Sequence, residues 1–373
     1  MRSLERQDLT DILYGAAIYG AGGGGSLEEG FGLIDDAMAA GRSFDLVSLD
    51  EAPDDALVCT PYMLGAVSPA ATDEDGAYGR LPRIDRPAIL IAYERFQTYL
   101  GRRFFGTIAC ELGGSNTAVA FYAAAMSGHA IIDADPAGRA VPEITHSTYY
   151  IAGLPAAPIV MANEFGETII CENVADDLRA ETLVRALSIV SRNDIAAIDH
   201  ALEVRQIRGA IIPGTISIAQ AMGKAWRLAW SRAKDVAATV AETGGGIVAF
   251  CGQVTDAHST IDGAFTVGET MMTGTGTFEG RSYRIWLKNE NLAGWLDGAV
   301  HATPPDLICV LDTETGHPVV NPDCRPGQSV AVVILPAPEI FTTPKGLSAF
   351  GPAYAGFDTP YVPAVTGRTA AVT

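Results

Sequence analysis

The sequence predicts an α/β N-terminal domain with a mixed or parallel sheet, followed by a β-rich C-terminal domain. Three observations carry this. Phe104 to Asp133 reads as strand, loop, helix and strand, a unit of βαβ size. After Gly153 the texture changes, and from Gly246 to Pro336 short apolar runs alternate with turn signals such as Thr315-Gly316 and Pro326-Gly327. Glycine (40) and proline (21) are abundant in 373 residues, as many tight turns require. That length suits about two domains, and the boundary is placed near 165, giving 1–165 and 166–373.

Residues 5–20 put Leu9, Ile12, Leu13, Ala16 and Ala17 at helical spacing. The helix should stop at the glycine run ending in Gly25. Ser26 then caps a second helix with Glu28 and Glu29 in its first turn. Phe44–Leu49, Ala56–Leu64 and Ala88–Ala92 read as strands. Phe104–Cys110 is the strand that opens the βαβ unit, Thr117–Ser127 its helix, closed by Gly128, and Ala130–Asp133 its second strand. Pro158–Cys171 reads as a hairpin turning at Glu164-Phe165-Gly166-Glu167. Helices follow over Ala180–Val190 and, as one long element, Ile216–Val240. Disorder is expected only after Gly367.

The net charge of −19 disfavours nucleic acid and anionic membrane surfaces as partners. Six scattered cysteines without a CxxC pair point to free thiols rather than a disulfide framework. An ordinary secretory signal is not expected from the acidic opening residues, and no run of ~18 apolar residues occurs in the sequence. The expected location is the cytoplasm, the expected partner a small-molecule substrate, and a homo-oligomer is left open.

Chemistry concentrates between Cys110 and His146. The loop Cys110-Glu111-Leu112-Gly113-Gly114-Ser115-Asn116 leaves the carboxyl end of a strand, where open α/β sheets place ligand crevices. Gly113 and Gly114 allow close backbone approach. Glu111 and Asn116 bring an ionisable and a hydrogen-bonding group beside it. Plain helix capping explains the same residues without a ligand, and Cys110 reads better as a buried thiol than as a nucleophile. From Asp133 to His146 run Asp133, Asp135, Arg139, Glu143 and His146. Grouped carboxylates shift each other's pKa and serve acid–base work or metal binding; a solvated loop with an Asp–Arg bridge is the simpler alternative. Gly23 and Gly24 before a helix, and Thr215 opening another, offer backbone N–H groups to an anion, although a tight turn and ordinary capping also account for them. His129 follows the helix-ending Gly128 and reads as a C-terminal cap, and His200, His258, His301 and His317 look isolated.

These blocks occur in an order that resembles a known family. The Gly20–Gly25 loop, Glu111–Asn116, the Asp133-Ala134-Asp135 to Pro142-Glu143 stretch, Gly214–Ala219, Pro305–Ile308 and Gly351-Pro352 are similar to the bacterial family named after S-methyl thiohydantoin desulfurase. The resemblance covers nearly the whole chain and departs from the family pattern at Val141, His146 and Ser191–Arg208. It implies an N-terminal α/β and a C-terminal β-rich domain. It also implies hydrolytic removal of a methylthio group, leaving a hydantoin and methanethiol.

The expected site therefore has Glu111, Asn116, Asp133 and Arg139 in catalysis. Without a metal Glu111 or Asp133 would be the base; Asn116 would donate to the ring oxygen and Arg139 would fork onto a substrate carboxylate. Gly23, Gly24, Gly113, Gly114 and Thr215 would bind substrate. Asp135, Glu143 and His146 would hold a divalent metal, zinc first, to supply hydroxide. The alternative is a non-catalytic ligand-binding subunit that works with a hydantoinase- or oxoprolinase-type enzyme.

Overall fold

The computed structural model describes residues 1–66, 78–192 and 194–365; the expectation of disorder after Gly367 lies outside them. Among the described residues nine strands form a first, mixed sheet: β1 (Arg2–Ser3), β2 (Asp45–Ser48), β3 (Leu57–Gly65), β4 (Gly106–Thr107), β5 (Ala130–Asp135), β6 (Ile159–Ala162), β7 (Thr168–Cys171), β8 (Asp194–Glu203) and β9 (Ile212–Pro213). Their order is β1-β2-β5-β4-β3-β8-β6-β7, with β9 beside β5. The centre β2-β5-β4-β3 is parallel, and the flanking pairs are antiparallel. The pairing of β4 with β5 is the parallel pair expected of a βαβ unit. The boundary expected near 165 falls inside the β6–β7 hairpin, and the sheet goes on to recruit β8 and β9.

The second sheet is wholly antiparallel. It holds β10 (Ile247–Asp262), β11 (Phe265–Gly274), β12 (Ser282–Lys288), β13 (Glu290–Leu296), β14 (Ala299–Ala302), β15 (Leu307–Asp312) and β16 (Ser329–Leu335), ordered β14-β13-β12-β11-β10-β16-β15. Alternating burial along β12 marks it as a strand with one face in the core.

The helices are α1 (Arg6–Tyr19), α2 (Leu27–Ala39), α3 (Ala88–Leu100), α4 (Asn116–Ser127), α5 (Thr148–Ala152), α6 (Asp177–Ile189), α7 (Val204–Ile207), α8 (Thr215–Ser231), α9 (Val236–Gly244) and α10 (Pro344–Phe350). Ser26 caps α2 by accepting from the Glu29 N–H, as expected. Three expectations need correction. Ala88–Ala92 opens a helix, not a strand; Ile89, Leu90, Ala92, Tyr93 and Phe96 are buried at helical spacing, and a short apolar run alone does not separate the two. The stretch 216–240 is two helices. Ala233 takes a left-handed φ of 50°, and Asp235 starts α9 by accepting from the Ala238 N–H. The strand expected over Phe104–Cys110 is laddered only at Gly106–Thr107.

The two halves are bound by helix contact. In α1, a Cβ on Gly15 would lie 1.8 Å from the Ala219 carbonyl oxygen of α8. In α8, a Cβ on Gly223 would lie 1.8 Å from the Asp11 carbonyl oxygen. The glycines let the two backbones touch. Arg227 of α8 adds a two-pronged bond to the buried Asp11 carboxylate at 2.7 and 2.8 Å. All six cysteines are free. Among the described residues no helix is long and apolar enough to cross a membrane.

Candidate functional site

A cleft of about 1510 Å³ opens at the carboxyl edge of the parallel strands. Its walls come from the end of β3, the loops after β4 and β5, the cleft-facing part of β8, and the start of β13. This is where an open α/β sheet places ligands.

Glu111 lies in the wall and is buried. Its Oε1 accepts from Asn116 Nδ2 at 2.7 Å and its Oε2 from the Val141 N–H at 2.8 Å. Asn116, the first residue of α4, is itself fixed because its Oδ1 accepts from the Met63 N–H at 2.9 Å. Burial pushes the Glu111 carboxyl up to about 7, against the pull of Asn116 and Val141. The same cleft wall holds Glu290, the first residue of β13. Burial raises this carboxyl well above the usual carboxylate range, and the charge of Glu111 raises it further. One Glu290 oxygen is buried without a hydrogen-bond partner. Both buried carboxyl groups are thus held above the usual carboxylate range.

The glycine loop supports this pair. Gly24 accepts through its carbonyl from the Ser115 and Asn116 N–H groups at 2.9 and 3.0 Å. A Cβ on Gly24 would meet Gly113 Cα at 2.4 Å, and Gly24 has a left-handed φ of 76°. A Cβ on Gly23 would meet Glu290 Oε1 at 2.0 Å. Gly114 abuts Gly30 of α2, whose added Cβ would lie 2.0 Å from the Gly114 carbonyl oxygen. Of Gly23, Gly24, Gly113 and Gly114, only Gly24 lines the cleft. The others are glycine because two backbone loops and a carboxylate pack without room for a side chain.

Several expected residues lie elsewhere. Asp133 caps α8, accepting from the Ser217 N–H at 3.0 Å and its hydroxyl at 2.5 Å, so it is occupied as a structural acceptor. Thr215 is buried at the start of that helix, away from the cleft lining. Arg139 is fully buried and donates to the carbonyls of Ala140, Pro305 and Asp306, all at 2.9 Å. It ties the halves together instead of forking onto a substrate.

The metal set fails a fit test. Asp135 accepts from the Ala137 and Gly138 N–H groups at 3.1 and 2.8 Å. Glu143 Oε1 takes Lys288 Nζ at 2.8 Å and the Tyr354 hydroxyl at 2.6 Å. His146 is packed against Phe350 and Tyr354, ring centroids 4.5 and 4.3 Å away, and burial lowers its pKa to about 3. Among the described residues no three His, Cys, Asp or Glu side chains are grouped to hold an ion. A divalent metal on Asp135, Glu143 and His146 does not fit this structure.

The cleft also holds groups that sequence reasoning passed over. Tyr62, Tyr149, Asp199 and His200 line it together with Cys110. Tyr62 donates to Asp199 Oδ2 at 2.9 Å, and His200 Nδ1 lies 2.7 Å from Asp199 Oδ1. Burial pushes the Cys110 thiol well up, and Glu111 and Asp199 add to this, so Cys110 is a protonated thiol near neutrality.

Asp135 supplies a test of electrostatics independent of activity. Burial raises its carboxyl to about 7, while the Gly138 and Ala137 N–H groups oppose the rise. The folded state thus holds a proton that the unfolded chain has released, and stability falls as pH rises from about 4 to about 7. Relative to Asp135→Asn, the wild type should lose up to about 1.4 kcal/mol per pH unit in that window. Urea unfolding of both proteins from pH 4 to 8 measures the difference; parallel curves contradict the assignment.

Residues 7–173 match the family model described as S-Me-THD-like, N-terminal domain, and residues 175–364 match the model described as S-Me-THD-like, C-terminal domain. Among solved structures, an X-ray crystal structure of a protein from Chromobacterium violaceum is similar, with 25% sequence identity and a TM-score of 0.74. The likeness covers 97% of this chain and 100% of that chain. No curated protein matches.

Proposed function

This chain belongs to the S-Me-THD-like family, and from that membership and the cleft we propose a hydrolase that removes the methylthio group from an S-methylated thiohydantoin or a related ring. The observation that carries the reading is the buried Glu111–Glu290 pair in the cleft wall, with both carboxyl groups raised. Hydrolysis at an amidine-like carbon bearing sulfur needs a base for water and an acid for the ring nitrogen. Glu111, with its pKa near the working pH, takes a proton from water as the C–O bond forms. Glu290, held protonated, gives its proton to the ring nitrogen. Asn116 orients Glu111 through the 2.7 Å bond. When the adduct collapses, its hydroxyl proton passes through solvent to the Glu290 carboxylate and restores it, the carbonyl forms and the C–S bond breaks. The thiolate departs with the proton that Glu111 had taken.

Methanethiol released from an S-methyl thiohydantoin by the purified protein, together with the hydantoin in equal amount, is the expected result. Hydantoin binding without methanethiol would instead favour a ligand-binding subunit.

A further inference from the structure

We propose that His200, oriented by Asp199, is a second proton-handling group of this cleft and takes up the hydroxyl proton as the tetrahedral adduct collapses. The inference rests on the hydrolytic reading above and deepens it. Asp199 and His200 are consecutive on β8, and both line the cleft. The two oxygens of Asp199 have separate partners, Oδ2 the Tyr62 hydroxyl at 2.9 Å and Oδ1 the His200 Nδ1 at 2.7 Å. A carboxylate accepts, so Nδ1 carries the hydrogen and Nε2 presents a lone pair. That Nε2 is buried and has no hydrogen-bond partner.

Two further features separate His200 from an ordinary core histidine. Its backbone φ is +43°, a conformation that a histidine adopts at a cost. Its ring is stacked on Tyr149, centroids 4.2 Å apart and planes 25° apart, so it cannot swing away to satisfy Nε2 elsewhere. A strained backbone, a fixed ring and an orphaned acceptor at one cleft residue are together expensive unless a ligand completes them. The arrangement orients an imidazole as a carboxylate-held base does.

The protons balance. Water gives its first proton to Glu111, and Glu290 protonates the ring nitrogen. His200 Nε2 takes the hydroxyl proton while the carbonyl forms and the C–S bond breaks. The thiolate takes the proton from Glu111 and leaves as methanethiol. The imidazolium then returns its proton to the Glu290 carboxylate through solvent, which restores both groups.

The test uses the full chain with an S-methyl thiohydantoin as substrate and hydantoin as binding probe. His200→Asn suits the left-handed backbone, which asparagine tolerates. Its kcat should fall about 100-fold or more, with hydantoin affinity within threefold of wild type. Asp199→Asn guards against a misfolded first variant. It should lower kcat with little change in KM, and ring nitrogen resonances should show the hydrogen on Nδ1 in the wild type and displaced from it in the variant. A wild type that releases no methanethiol overturns the hydrolase reading and this role with it. An active wild type with kcat in the folded variants within threefold of its own overturns the role of His200 alone. Equal losses of affinity and kcat would make His200 a binding group, which also overturns the proposal.

Discussion

Glu111→Gln should reduce methanethiol release by about two to four orders of magnitude. The substitution keeps the size of the side chain but leaves no group that accepts a proton from water. The cost to the fold is confined. Glu111 accepts from two donors, Asn116 Nδ2 and the Val141 N–H, whereas an amide offers one acceptor and one donor. One of those bonds is lost, at roughly 1–3 kcal/mol. The wild-type rate should rise as pH passes through about 7, where Glu111 gives up its proton, and fall again once Glu290 loses its own. The variant should lose the rising limb, and Glu290→Gln the falling one. Steady-state assays across pH, with circular dichroism to verify folding, measure this. A folded Glu111→Gln protein within tenfold of wild-type activity would remove Glu111 from the chemistry.

The second large effect concerns stability. Gly15→Ala places a methyl 1.8 Å from the Ala219 carbonyl oxygen, and that oxygen belongs to a helix backbone that cannot turn aside. Overpacking of side chains costs about 1–3 kcal/mol; here α1 and α8 must separate along their contact, so the loss should exceed that range. Gly32→Ala is the control. Gly32 lies inside α2, and nothing lies within 4 Å of a Cβ added there. Its alanine variant should gain about 0.4–1 kcal/mol, since alanine restricts the unfolded chain and favours helix. Guanidinium unfolding of the three proteins provides the comparison. A Gly15→Ala protein as stable as wild type would mean that the helices do not meet backbone to backbone.

Glu111 and Asn116 were legible because the elements that place them are contiguous. A strand end, a loop and a helix start announce a sheet-edge position without reference to the rest of the chain. The block from Asp133 to His146 was legible as a dense polar segment but not in its roles. Asp133 is claimed by Ser217, 84 residues on, and Arg139 by Pro305, 166 residues on. Without those partners, structural acceptors and donors look like free chemistry. Glu290 and His200 were missed for the converse reason. Each reaches the cleft on a strand distant in sequence from the loop it joins, and an isolated histidine carries no local sign of a buried ring with one nitrogen unsatisfied. The βαβ unit and the β-rich character of the second domain were readable from texture. The length of α3 and the break before α9 depend on packing and on a single left-handed residue.

The touching of α1 and α8 also bears on how the chain is made. As the protein leaves the ribosome, α1 emerges before α8, and the surface that fits its glycine face is completed only when Ser231 is out. Until then Gly15 and the carbonyls beside it face solvent or whatever binds nascent chains. The same holds for Asp11, which waits for Arg227. A fragment stopped at residue 173, where the N-terminal family match ends, would keep all four parallel strands but lack α8, the helix that seats α1. Supplying residues 175–364 as a separate polypeptide should then restore what neither piece holds alone, because the two segments meet through shape and need no peptide bond between them.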